Sequence, residues 1–255
     1  GNGGSGGGGA GFGGAIFIAA GGTLTLTGDG SDIIFSNNSA IGGAAGGSGA
    51  SSGQGLGPDI FLQSGGNLIV NVTGDLTLSS IVSDAGAGGG TGGGLTVKGG
   101  HLTLSMYSVD EVLQANNYTG QTVLMSGTSL TAGMAGALSP NSPIYLDIDG
   151  CTLYSSTDNT IAGISNGSAD SSSSQVSSAI INVSAGTLTI SLNDANYTYS
   201  GDLEGSGGIF VEGTGSLTLN GGGSLAGGVT STANVTVGGT YMESSTSEES
   251  SVSEP

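Results

Sequence analysis

The sequence predicts an all-β chain wound as a parallel β-helix, that is, a β-solenoid, with a β-sandwich as the alternative. Three observations carry this. Apolar residues alternate with Thr in a short phrase that recurs along the chain. Nearly every copy is bracketed by Gly, Asn, Asp or Ser. The apolar share is 35% and the aromatic share only 5%, too thin for a thick globular core. A strand puts alternate side chains on opposite faces, so Leu, Ile and Val point inward and β-branched Thr points to water.

Taken in order, residues 1–14 are Gly-rich and read as a loose N-terminal segment. The first copy of the phrase is Thr23-Leu24-Thr25-Leu26-Thr27, and the second is Asp75-Leu76-Thr77-Leu78-Ser79. Apolar segments at 32–35, 59–62 and 68–72 lie between them or just before. Gly-rich residues 86–94 read as a loop, followed by Leu95-Thr96-Val97 and His101-Leu102-Thr103-Leu104-Ser105. Residues 109–114 offer the one short helical turn. Strands are then expected at 122–125, 144–148 and 179–183, with a Ser-rich exposed loop at 168–178. The phrase returns as Thr187-Leu188-Thr189-Ile190-Ser191, Ser216-Leu217-Thr218-Leu219-Asn220 and Asn234-Val235-Thr236-Val237, with Ile209-Phe210-Val211 between. Residues 15–242 are assigned to the β-helix, and 243–255 to an acidic, Ser-rich tail or linker.

The flanking turn formers predict strands of about five residues. A coil of roughly 20 residues gives about a dozen coils, and at ~4.8 Å per rung a rod on the order of 55 Å long. The sandwich ranks lower because its core usually takes larger aromatics. Long helices are disfavoured by 55 glycines, each costing about 1 kcal/mol relative to Ala in a helix. The every-third-Gly period of collagen is missing, and the alternations argue against disorder.

Charge excludes further classes. Nineteen acidic residues face one Lys and no Arg, for a net charge of -18. Phosphate backbones are held by Lys and Arg, so nucleic acid is not an expected partner, and anionic membrane surfaces are disfavoured for the same reason. No apolar run reaches the ~18 residues of a membrane span; membrane insertion of this segment is not expected. Cys151 is alone and reads as a small buried strand residue, leaving no intrachain disulfide. The start has neither Met nor a basic leader and reads as a piece of something longer.

Several motifs point to one family. Asn116-Asn117-Tyr118-Thr119-Gly120-Gln121-Thr122-Val123-Leu124, running on to Gly127-Thr128-Ser129-Leu130, resembles the passenger-associated repeat of bacterial autotransporters. Tyr199-Ser200-Gly201-Asp202-Leu203 with Gly213-Thr214-Gly215-Ser216-Leu217 is similar to its other half. Phe35-Ser36-Asn37-Asn38 and Gly13-Gly14-Ala15-Ile16 resemble the paired tetrapeptides of polymorphic membrane proteins. The resemblance to an autotransporter (type V secretion) passenger domain implies a right-handed parallel β-helix, exported through the outer membrane and displayed or released outside, often for adhesion.

Candidate chemistry is sparse. His101 is the sole imidazole. A Ser105, His101, Asp110 set can be written, yet catalysis needs a base held by a third group, and Ser is so abundant that His101 reads as a surface residue. Asp147 and Asp149 flank Ile148 and would face one side of a strand about 7 Å apart, a spacing that suits a carboxylate pair in a glycan-cleaving enzyme; two solvated acids before a turn is the plainer reading. Gly28-Asp29-Gly30-Ser31-Asp32-Ile33-Ile34 overlaps a calcium β-roll nonapeptide once, whereas such rolls need tandem copies. Gly11 to Gly14 and Gly205 to Gly208 read as turn glycines, not phosphate loops, because no helix or Lys follows. The Asn-x-Ser/Thr sequons at Asn37, Asn71, Asn117, Asn166, Asn182, Asn196 and Asn234 are little above chance in so Ser/Thr-rich a chain.

The expectation is a non-enzymatic extracellular or cell-surface protein, an adhesin or a stalk. No catalytic, cofactor-binding or metal residues are assigned, and no cofactor. Its partners would be a host surface or matrix glycan or protein, or further copies joined end to end. The alternatives are a self-assembling filament or matrix subunit and, third, a glycan-cleaving β-helix enzyme.

Overall fold

The computed structural model describes residues 6–79, 81–83, 92–109, 112–166 and 177–242. Among them the chain is all-β, with one 3-10 turn at Gly30–Asp32 and no α-helix. The expected tail at 243–255, most of the Ser-rich stretch 168–178 and most of the Gly-rich stretch 86–94 lie outside the described residues.

Alternation in sequence becomes alternation in burial. Along Asn67–Ser79, Leu68, Val70, Val72, Leu76 and Leu78 are buried, while Asn71, Thr73 and Thr77 are exposed. Along Gly94–Ser105, Leu95, Val97, Leu102 and Leu104 are buried in the same way. These two strands are far longer than the expected five residues. Each runs through a corner where the register slips, between Val70 and Asn71 and again before Asp75. Gly74 (φ 79°) and Gly100 (φ 72°) make that corner in the left-handed region, and a Cβ on Gly100 would come within 2.6 Å of the Gly74 carbonyl oxygen. Two phrases separated by a turn in the sequence are thus one bent strand in space.

The strands pair in parallel, with one exception among the described residues. The exception corrects the expected helical turn: Tyr107–Val109 and Val112–Gln114 form an antiparallel pair. Six residues cannot distinguish a helical period from a strand period when Val and Leu serve both. Two packed antiparallel sheets, the competing expectation, would need the opposite strand sense throughout.

Parallel pairing stacks like on like. Leu76 pairs with Leu102, Leu102 with Leu130, Leu130 with Leu153, Leu153 with Ile181 and Ile181 with Leu203. All six are buried, in one continuous aliphatic core. The sheets curl into a half-barrel around that core. The step from one strand to its partner varies, from the roughly 20 residues expected of a coil to about twice that. It is 20 between Asn196 and Ser216, 28 between His101 and Ser129, and 44 between Thr23 and Asn67. The longer steps accommodate inserted segments, such as residues 30–54 between the first ladder and the second.

The Gly-rich start is more ordered than a loose segment. Gly11–Phe12 pairs with Gly55–Leu56, and Phe12 stacks on Phe61 at 4.5 Å between ring centres. Gly43 donates its amide to Gly9 and Gly53 donates to Gly43. A Cβ on Gly53 would sit 1.9 Å from the Gly9 carbonyl oxygen, so only Gly permits this backbone-on-backbone contact.

Two predictions follow from this packing. Leu102→Ala should lower unfolding free energy by about 2–5 kcal/mol in a denaturant titration, whereas exposed Thr77→Ala should change it by less than ~0.5 kcal/mol. The chain's one Lys or Arg side chain, Lys98, is exposed at the bulge of the strand Gly94–Ser105, between segments 95–97 and 101–104 that are each paired along both edges. Trypsin should leave the native chain whole and cut the denatured chain once, as read by mass spectrometry; rapid native cleavage would contradict the pairing.

Candidate functional site

Four adjacent strands present their outward residues as a small grid. One row is Asp75, His101, Ser129 and Thr152, and the next, two residues along each strand, is Thr77, Thr103, Thr131 and Tyr154. The residues between the rows are the buried Leu76, Leu102, Leu130 and Leu153. Neighbours within a row are therefore about 4.8 Å apart, and the rows about 7 Å apart. Part of this grid lines an open cleft of about 500 Å³, with Asp75, His101, Thr103, Thr131 and Tyr154 on its walls.

His101 is exposed, and its Nδ1 lies 2.6 Å from Ser129 Oγ. Ser129 is buried, so its hydroxyl anchors the imidazole rather than roaming in solvent. Asp75 holds the same register on the other side of His101 and is exposed. Tyr154 is 44% exposed. The cleft therefore offers hydroxyl groups, an imidazole, a carboxylate and one ring face. No Lys or Arg lines it.

His101 and Ser105 lie four residues apart on one strand, about 13 Å at ~3.3 Å per residue, too far to meet. Ser105 Oγ donates to Met134 Sδ at 3.4 Å, and Asp110 lies outside the described residues. The serine that meets His101 is Ser129, 28 residues further on. Strand register brings it there, and no local spacing reveals that register.

Asp147 and Asp149 follow the plainer reading, two acids at a turn, and not the strand-face carboxylate pair. The strand Pro143–Leu146 ends before them, and both lie in the turn that precedes Thr152–Ser155. Asp147 Oδ1 accepts the Asp149 amide at 3.1 Å, an Asx-type turn, so the pair does not stand on one strand face.

At the nonapeptide-like segment, Asp29 caps the 3-10 turn, accepting from the Ser31 amide and hydroxyl at 3.1 and 2.9 Å. Its carboxylate thus serves the turn. Among the described residues no three His, Cys, Asp or Glu side chains gather to hold a metal ion.

Cys151 is buried immediately before its strand, and its Sγ lies 3.6 Å from the Asp147 carbonyl oxygen. Burial pushes its thiol up to about 12, so at neutral pH it is protonated and inert.

Four of the motif residues quoted above, Asn116, Tyr118, Thr122 and Tyr199, turn out to be interior fittings. Asn116 is fully buried and ties three passes of chain. It accepts the Ile81 amide at 2.7 Å and donates to the carbonyls of Ser105 and Ala137 at 3.0 and 2.6 Å. Tyr118 OH meets Thr122 Oγ1 at 2.8 Å, and Thr122 in turn meets Ser142 Oγ at 2.8 Å. Tyr199 OH donates toward the carbonyls of Ala179 and Asp202. Each of these buried side-chain groups has a partner, as a low-dielectric interior demands.

No family model matches the chain, and no curated protein or solved structure does either. No described helix is long and apolar enough to cross a membrane.

The buried hydroxyls make alkaline pH a probe. Burial raises Tyr118 to about 12 from 10.0, Tyr241 likewise, and Cys151 to about 12 from 9.0. Between pH 9 and 12 the folded chain therefore holds more protons than the unfolded chain, so stability falls as pH rises through that window. Denaturant midpoints should decline from pH 9 to 11, and Tyr118→Phe should flatten the decline; a midpoint constant over that range would refute the burial of these groups.

Proposed function

We propose that this chain is a right-handed parallel β-helix of the autotransporter-passenger kind, acting as a non-enzymatic adhesin or stalk at a bacterial surface or outside the cell. One observation carries the reading: aliphatic residues stack on aliphatic residues across successive parallel pairings, as from Leu76 to Leu203. Coils that superpose on one another give that pattern. The passenger-like motifs add support, because the buried side chains of Asn116 and Tyr199 tie backbone carbonyls of other passes. The near absence of cations suits a protein exposed to proteases that cut after Lys and Arg.

A second reading, a subunit that joins end to end, is favoured by the strands Val229–Ser231, Asn234–Val237 and Thr240–Met242. Each lies at the edge of its sheet among the described residues, and Val237 is 56% exposed. Unpaired strand edges are templates for another chain. The glycan-cleaving reading rested on Asp147 and Asp149, and their turn geometry gives it no support.

Purified chain coated on beads should retain host cells or matrix proteins above an uncoated control, and should run as a monomer in light scattering. Failure to retain either would reject the adhesin. Filaments in electron micrographs would replace it with the second reading.

A further inference from the structure

We propose that the cleft bounded by Tyr154 and His101 is a binding site for a neutral glycan. This rests on the adhesin reading and gives that reading a ligand class.

Three features of the cleft point to sugar. The ring of Tyr154 is 44% exposed on a strand whose apolar neighbour Leu153 is fully buried, so the ring is held out from the core and presents a flat face. Such a face stacks on the C–H side of a pyranose, burying apolar area while the phenol stays hydrated. Thr103 and Thr131 share its row and supply hydroxyls at the strand spacing of about 4.8 Å. His101, fixed by Ser129 at 2.6 Å, adds one oriented polar group that still reaches solvent. A site of a few placed hydrogen-bonding groups around one aromatic wall orients a polyhydroxylated ligand.

Charge selects among glycans. Asp75 stands at the His101 end of the cleft, and the chain carries a net charge of -18 with a single Lys. Uronic or sulfated sugars would meet repulsion and find no Arg or Lys to pair with. A peptide is also a poorer fit, because the large aliphatic side chains here point inward and leave no apolar pocket to anchor one. The row from Asp75 to Thr152 spans about 14 Å across four strands, room for a short oligosaccharide laid across them.

Native affinity electrophoresis through gels containing dextran, mannan, galactan or β-glucan tests this, with polygalacturonate and heparin as anionic counterparts. At least one neutral polymer should retard the chain and neither anionic polymer should. Tyr154→Ala should weaken retardation roughly 10-fold, the equivalent of one lost stacking contact, while Tyr154→Phe should keep it. Unchanged thermal melting of both variants shows that the fold is intact. No retardation by any of the four neutral polymers, or equal retardation of Tyr154→Ala, overturns the site. Bead retention separates this from the adhesin reading. A chain that adheres equally well as Tyr154→Ala loses the site and keeps the adhesin. A chain that binds glycan but retains no cells or matrix keeps the site and loses the adhesin.

Discussion

Everything in this molecule depends on main-chain hydrogen bonding between parallel strands that come from different passes of the chain. The backbone amides and carbonyls must be satisfied. Here the ladder partners come from a pass roughly 20 to 40 residues earlier or later. Parallel pairing holds residues side by side in fixed register, so the inward side chains fall into columns. Once a column is set, its chemistry is narrow: from Leu76 to Leu203 it holds only Leu and Ile. The thin aliphatic composition is a result of that constraint. A core built as columns needs only alternate residues to be apolar.

Corners pose the opposite problem, because the ladder is interrupted there and polar backbone is left over. The chain solves it with side chains. Asn116 serves three passes at once, and Asn159 accepts the Leu138 amide at 3.1 Å while donating back to Ser155 and Thr157. Replacing either by an apolar residue would strand several buried groups, each costing about 1–3 kcal/mol. Gly does the same work by subtraction. Between Gly9, Gly43 and Gly53 the backbone atoms themselves are in contact.

Much of this was legible in the sequence, and the boundary between what was and was not is physical. The phrases at Thr23, Asp75, His101, Thr187, Ser216 and Asn234 are strands because a period of two is a local property. Their inward and outward assignment follows from the same period. Parallel sense and register are not local. That is why the bent strand through Gly99 and Gly100 reads as two strands, and why Ser129 escapes notice as the partner of His101. Asp147 and Asp149 mislead for a related reason: alternation continues past Leu146 in the sequence, yet an Asx turn captures the chain there. The Tyr154 cleft carries no motif at all. Its one trace is an aromatic residue at an outward position of a strand where Thr is the rule.

The outward grid has an evolutionary consequence. Its members touch neighbours from other passes but contribute little to what holds the passes together. Two descendants of this chain could keep every inward residue and share no outward one. The exterior would then drift while the scaffold beneath stays the same.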